Sequence, residues 1–159
     1  LLLATAWRYR WRTALRAGAL AIVVAGAVAF VAQQDGQGPR RDRVNWQPLS
    51  EQAIANALAE HKRVFIDVTA DWCVTCKANK YNVLLRDDVQ QALLAPDVVA
   101  LRGDWSRPSA DISQFLTARG SAAVPFNQIY GPELPQGQIL PALLDREQLI
   151  ATLSAAKGK

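Results

Sequence analysis

One stretch constrains this chain more than any other: Val64-Phe65-Ile66-Asp67-Val68-Thr69-Ala70-Asp71-Trp72-Cys73-Val74-Thr75-Cys76-Lys77. Its short apolar, β-branched run reads as a buried strand. A turn follows, and Cys-x-x-Cys opens a helix. A strand buried on both sides needs a sheet around it and helices over it, which points to an α/β architecture. Cys73 and Cys76 are the only cysteines in 159 residues. All thiol chemistry is therefore confined to one helix start, where a dithiol can cycle with a disulfide.

The flanking sequence extends the pattern. Ser50-Glu51-Gln52-Ala53 carries an N-cap hydroxyl, and Ile54, Ala57 and Leu58 follow at helical spacing. Residues 62–69 are expected as a strand, and a helix runs from Cys73 toward Leu85, with a second piece over 87–94. Val98-Val99-Ala100-Leu101 reads as a second strand, and residues 110–118 as a helix capped near Ser109. Residues 125–130 and 138–140 supply two further strands, and residues 145–156 a last helix. This order implies a mixed sheet with helices on both faces.

Charge divides the chain. Residues 1–43 carry seven arginines against two aspartates, a net of +5; residues 44–159 carry 11 basic and 12 acidic residues, a net of −1. The basicity thus flanks an apolar segment and forms no stripe on the folded part, which argues against a nucleic-acid partner. Residues 17–32 are uncharged and apolar. Extended to 13–33, they reach the roughly 20 residues that a bilayer core requires. Residues 1–12 read as the end of an earlier membrane segment and a basic cytoplasmic loop, and 34–43 as a polar linker. Ala27-Val28-Ala29 also fits a signal-peptide cleavage site. Either reading exports residues 44–159, and an oxidising compartment is where a cysteine pair is readily oxidised.

At the helix start, unpaired N–H groups and the helix dipole favour a thiolate. Cys73, first and nearer the surface, is expected to attack a partner disulfide. Cys76, one turn in and more buried, is expected to resolve the mixed disulfide. Asp67 lies in the strand beneath. A carboxylate is costly to bury there, so its expected task is moving protons to and from Cys76. Trp72 suits either packing or a substrate-facing platform.

Strand, Asp67, Ala70-Asp71-Trp72-Cys73-x-x-Cys76-Lys77 and the later Val124-Pro125 together resemble the thioredoxin fold. The resemblance implies that Pro125 is cis and lies against the cysteines, and that the Val124 backbone pairs with a bound substrate chain. Thr69 to Lys77, with Asn45-Trp46 upstream and Gly103-Asp104-Trp105 downstream, is similar to the C-terminal domain of DsbD-type thiol:disulfide interchange proteins. That resemblance implies a bacterial inner-membrane protein with its catalytic domain in the periplasm. It also implies an upstream membrane electron-donor domain and exported thiol or disulfide proteins as partners, with no cofactor. Relatives often carry an acidic residue where this chain has Lys80, a change that favours thiolate.

Other chemistries fit less well. A structural zinc site needs four ligands, and only His61 could join the cysteines. Haem attachment needs histidine after the second cysteine, where Lys77 stands. His61 reads as a surface residue, Asp71 as a turn or cap residue, Asp104 and Trp105 as structural, and Lys77 and Lys80 as a solvated helix face. The expectation is a protein-disulfide reductase. A stand-alone oxidase or isomerase, a cytochrome c maturation reductase and a Cu(I)-binding dithiol module are the alternatives.

Overall fold

The computed structural model describes residues 15–30 and 40–158. The chain divides into two units, Leu1–Pro39 and Arg40–Lys159. In the first, residues 15–30 form helix α1, whose apolar side chains are exposed, Leu20, Ile22, Val23 and Phe30 among them. Among the described residues no helix is long and apolar enough to cross a membrane. The span expected over 13–33 has both its ends outside the described residues, as do residues 1–12 and 34–39.

The second unit holds β1 (Gln47–Pro48), α2 (Glu51–Ala59), β2 (Arg63–Thr69), α3 (Val74–Asn79), a π-helical turn (Lys80–Leu84), α4 (Asp87–Leu93), β3 (Val98–Asp104), α5 (Ala110–Thr117), β4 (Phe126–Gly131), β5 (Leu134–Ile139) and α6 (Arg146–Ala155). The sheet order is β1-β3-β2-β4-β5. β1 and β2 run parallel to β3, whereas β4 is antiparallel to β2 and β5 to β4. The sheet is therefore mixed.

β2 is central and almost wholly buried, which is why its sequence is a continuous apolar run. Side chains still alternate between faces. Val64, Ile66 and Val68 pack with Ile54 of α2 and Phe115 and Leu116 of α5. Phe65 packs on the other side with Leu84, Val89, Leu93, Leu149 and Leu153. Asp67, two residues on from Phe65, shares that second face with α3, and this period-two placement delivers a carboxylate beneath the cysteines.

Caps fall where hydroxyl or carboxylate residues stand. Ser50, Ser109 and Asp145 accept from the N–H groups of Ala53, Ile112 and Gln148. The expected helix from Cys73 to Leu85 is instead α3 followed by the π-helical turn. β3 runs to Asp104, three residues beyond the expected strand. The last strand spans Leu134–Ile139 rather than 138–140, with Gly137 at φ +75°. Pro135 and Gly137 obscured it, and β5 tolerates both because it is an edge strand. β1, a two-residue edge strand containing Pro48, gave no periodic signal.

Candidate active site

The turn after β2 is tied down before the cysteines begin. The Trp105 N–H donates to the Thr69 carbonyl at 2.8 Å, and the Asp71 N–H donates to Ser106 Oγ at 2.8 Å. The Ser106 hydroxyl donates in turn to Asp104, whose carboxyl is held below its usual range mainly by hydrogen bonds from Ser106. Cys73 is the N-cap of α3, and its sulfur accepts the Cys76 N–H at 3.1 Å. Cys73 and Cys76 are joined in a disulfide with Cα atoms 5.3 Å apart. Their three-residue spacing across the first turn brings both sulfurs to one side.

Both cysteines are 6% exposed, so the expected contrast in burial is absent. Ala70 and Val124 pack against them, and this cover reaches Cys73 as well as Cys76. The Val124–Pro125 bond is cis. Trp72 stands out at 62% exposed. With Trp105, Arg107, Pro108 and Val124 it lines an open groove of about 480 Å³. The geometry brings Trp72 and Val124 together at the cysteines. Asp104 and Trp105, expected to be structural, brace the turn, and Trp105 also helps line this groove.

Asp67 and Cys76 line a second cavity, of about 310 Å³, with Lys77, Lys80, Tyr81 and Arg102. The two lysines thus belong to the surroundings of the buried cysteine as well as to an exposed face. Asp67 is buried and its carboxyl is pushed above the usual range, chiefly by loss of solvent. Arg102 and Asn127 oppose that rise. Arg102 Nε and Nη2 both lie 2.9 Å from Asp67 Oδ2, and Asn127 Nδ2 donates to Oδ1 at 3.0 Å. Coulomb attraction and hydrogen bonding temper the desolvation but do not overcome it.

Arg102 and Asn127 were missed in the sequence. The register explains both, since Arg102 on β3 and Asn127 on β4 stand opposite Asp67 on the neighbouring strands. A polar residue inside each of two apolar strands was the available signal. Register alone could turn it into a contact. Asn79 was also missed; it fixes α3 to the chain ahead of α6, donating to the Ala142 carbonyl and accepting from the Leu144 N–H. His61 is exposed on the turn after α2 with φ 56°, away from the cysteines in the sequence and outside both cavities that border them. Among the described residues no group of three or more His, Cys, Asp or Glu side chains is placed to hold a metal ion.

A family model described as thioredoxin-like matches residues 45–132. The thiol:disulfide interchange protein DsbD of Ralstonia nicotianae is 30% identical over 128 residues, 80% of this chain and 21% of that protein. DsbD of Photorhabdus laumondii is 30% identical over 98 residues, 60% of this chain and 16% of that protein. The chain thus spans about a fifth or less of the curated relatives it matches. Among solved structures, the oxidised C-terminal domain of Neisseria meningitidis DsbD superposes with a TM-score of 0.54 at 20% identity, covering 70% of this chain and all of that one. A thioredoxin from Thermus thermophilus gives 0.55 at 18% identity, covering 70% and 85%. The chain belongs to the thioredoxin-like family, and its folded unit, with a disulfide across the Cys-x-x-Cys at the start of α3, is similar to part of the DsbD thiol:disulfide interchange proteins.

Proposed function

We propose that this domain reduces disulfides of exported proteins in the bacterial periplasm. It is tethered to the inner membrane through residues 13–33 and recharged by a membrane donor upstream of it. The observation that carries the reading is the cysteine pair at the start of α3, with an open apolar groove reaching it at Val124 and a buried acid sharing a cavity with Cys76. A groove admits an extended segment of another protein, and an acid retained under a helix start serves proton transfer.

In the reduced protein the Cys73 thiolate attacks one sulfur of the substrate disulfide. A mixed disulfide forms and the other substrate sulfur leaves as a thiolate. Cys76 then gives its proton to the Asp67 carboxylate across the shared cavity, which is polar and large enough for water to relay it. The Cys76 thiolate attacks Cys73 Sγ and the mixed disulfide breaks. The substrate gains two electrons, and the Cys73–Cys76 disulfide remains. Recharging runs the sequence backward: a donor dithiol attacks Cys73, Cys76 departs as a thiolate, and protonated Asp67 returns the proton. Trp72 and the Val124 backbone hold the substrate chain beside the sulfurs, and Pro125 shapes that wall. The exposed apolar side chains of α1 support a membrane anchor.

The test is the in-cell redox state of Cys73 and Cys76, trapped with a thiol-reactive mass tag. It compares the protein with its upstream membrane part against an exported form beginning at Arg40, where the folded unit starts. A pair that is reduced in the first and oxidised in the second is expected. A pair oxidised in both would overturn the relay and favour an oxidase. A pair reduced in both would show that the donor is not the adjoining membrane part.

A further inference from the structure

Residues 42–46 arrive at the domain directly ahead of β1 and are tied to it by one buried side chain and a set of hydrogen bonds. Val44 is 8% exposed and belongs to the core around Phe65. Asp42 Oδ1 accepts from the Val44 N–H and from Gln90 Nε2, both at 3.1 Å. The Arg43 N–H donates to Gln90 Oε1 at 2.8 Å, and Gln90, buried in α4, also donates to the Leu84 carbonyl at 2.7 Å. Trp46 packs near Phe65, with ring centroids 6.0 Å apart, and its indole N–H donates to Asp42 Oδ2 at 2.7 Å. The folded unit therefore starts ahead of the expected boundary at Val44.

This segment meets the redox site at one side chain. The Arg102 guanidinium lies 3.7 Å from the Trp46 ring centroid, a cation–π stack. Its Nη1 reaches Asp42 Oδ2 at 3.4 Å, while Nε and Nη2 grip Asp67. A planar cation held on one face by an indole and at its edge by two carboxylates has little freedom to leave.

We propose that residues 42–46 are a positioning element of the redox site: through Trp46 and Asp42 they seat Arg102 against Asp67 and so govern proton transfer by that acid. This rests on the reading of Asp67 as the proton carrier for Cys76. The other groups facing the acid are accounted for. Asn127 of β4 is neutral, Lys77, Lys80 and Tyr81 come from α3 and the π-helical turn, and the exposed Asp71 and Asp104 also line the cavity. The charge of Asp42 itself pushes the Asp67 carboxyl up, a smaller effect than the opposing pull of the Arg102 that it helps to seat. Arg102 is the cation in direct contact with Asp67. Unseated, it passes to solvent, the buried carboxylate loses its partner, and Asp67 keeps its proton to higher pH.

The experiment follows the Asp67 carboxyl by NMR titration in the reduced full chain. It also follows the pH dependence of Cys76-dependent resolution with a peptide disulfide as substrate. Arg102→Met and Trp46→Leu are expected to move the Asp67 midpoint upward and to slow resolution at neutral pH by about threefold to tenfold. Arg102→Lys, which keeps the charge, is expected to recover part of the loss. Trp46→Phe retains a ring against Phe65 with a weaker face and no N–H for Asp42; it should shift the midpoint less and guards against loss of fold. An unchanged midpoint in both Trp46 variants, with a shift in Arg102→Met, would overturn the proposal. The reading beneath it is tested separately: Asp67→Asn with a wild-type pH profile would remove Asp67 as proton carrier, while the Asp67 midpoint in the Trp46 variants would still report whether the segment seats Arg102.

Discussion

At the scale of single residues, Asp67 is in conflict with its surroundings. Loss of solvent raises its carboxyl above the usual range, although Arg102 and Asn127 stabilise the charged form. The folded state thus binds this proton more tightly than the unfolded chain does, and stability falls as pH climbs from the ordinary carboxylate range through the raised folded value. Asp67→Asn removes that dependence and keeps a polar group for Arg102. The variant is expected to match the wild type in urea unfolding below about pH 4, near the unfolded carboxylate value, and to be the more stable near neutral pH. A gain of equal size at both pH values would show that ionisation of Asp67 is not its source.

At the scale of elements, the active-site turn is held from outside by the chain after β3. Ser106 joins the Asp71 N–H to Asp104, and Trp105 joins the Thr69 carbonyl. Ser106→Ala leaves the Asp71 N–H without its acceptor at an exposed position where water can replace it. The expected loss is about 1 kcal/mol in denaturant unfolding, with faster amide exchange at Asp71. Wild-type protection of that amide would show that the clamp is not formed in solution. β2, the start of α3 and the three capped helices were legible, because apolar runs, Cys-x-x-Cys and Ser or Asp caps are local signals. The π-helical turn, β1 and the full length of β5 were not. Each depends on tertiary packing or edge position and carries Pro, Gly or no periodicity of its own. The site divides the same way: Cys73, Cys76, Asp67 and Trp72 lie within ten residues of one another, whereas Arg102 and Asn127 join them only through strand register.

At the scale of the whole domain, Arg63 ties the start of β2 to two distant pieces of chain. Its Nε and Nη2 grip both oxygens of Asp97 at 2.7 and 2.8 Å, and its Nη1 donates to the Leu153 carbonyl of α6 at 2.9 Å. The Arg63 bonds hold the Asp97 carboxyl below its usual range. That contribution is present above the unfolded carboxylate value, near pH 4, and is lost as pH falls through the lower folded value. Arg63→Met is expected to cost about 1–3 kcal/mol at pH 7, less than a fully buried pair would, because the Asp97 side chain is 38% exposed and can rehydrate. Asp97→Asn should flatten the acid limb of the stability curve; an unchanged limb would assign it to other carboxylates. The proposed reaction turns on one chemical claim, that Cys73 attacks and Cys76 resolves. The most direct measurement is trapping of the mixed disulfide: reduced Cys76→Ala and Cys73→Ala variants are each mixed with a disulfide-bonded protein and resolved on a non-reducing gel. A covalent adduct with Cys76→Ala and none with Cys73→Ala is the predicted result, and an adduct formed equally by both variants, or only through Cys76, would contradict the account.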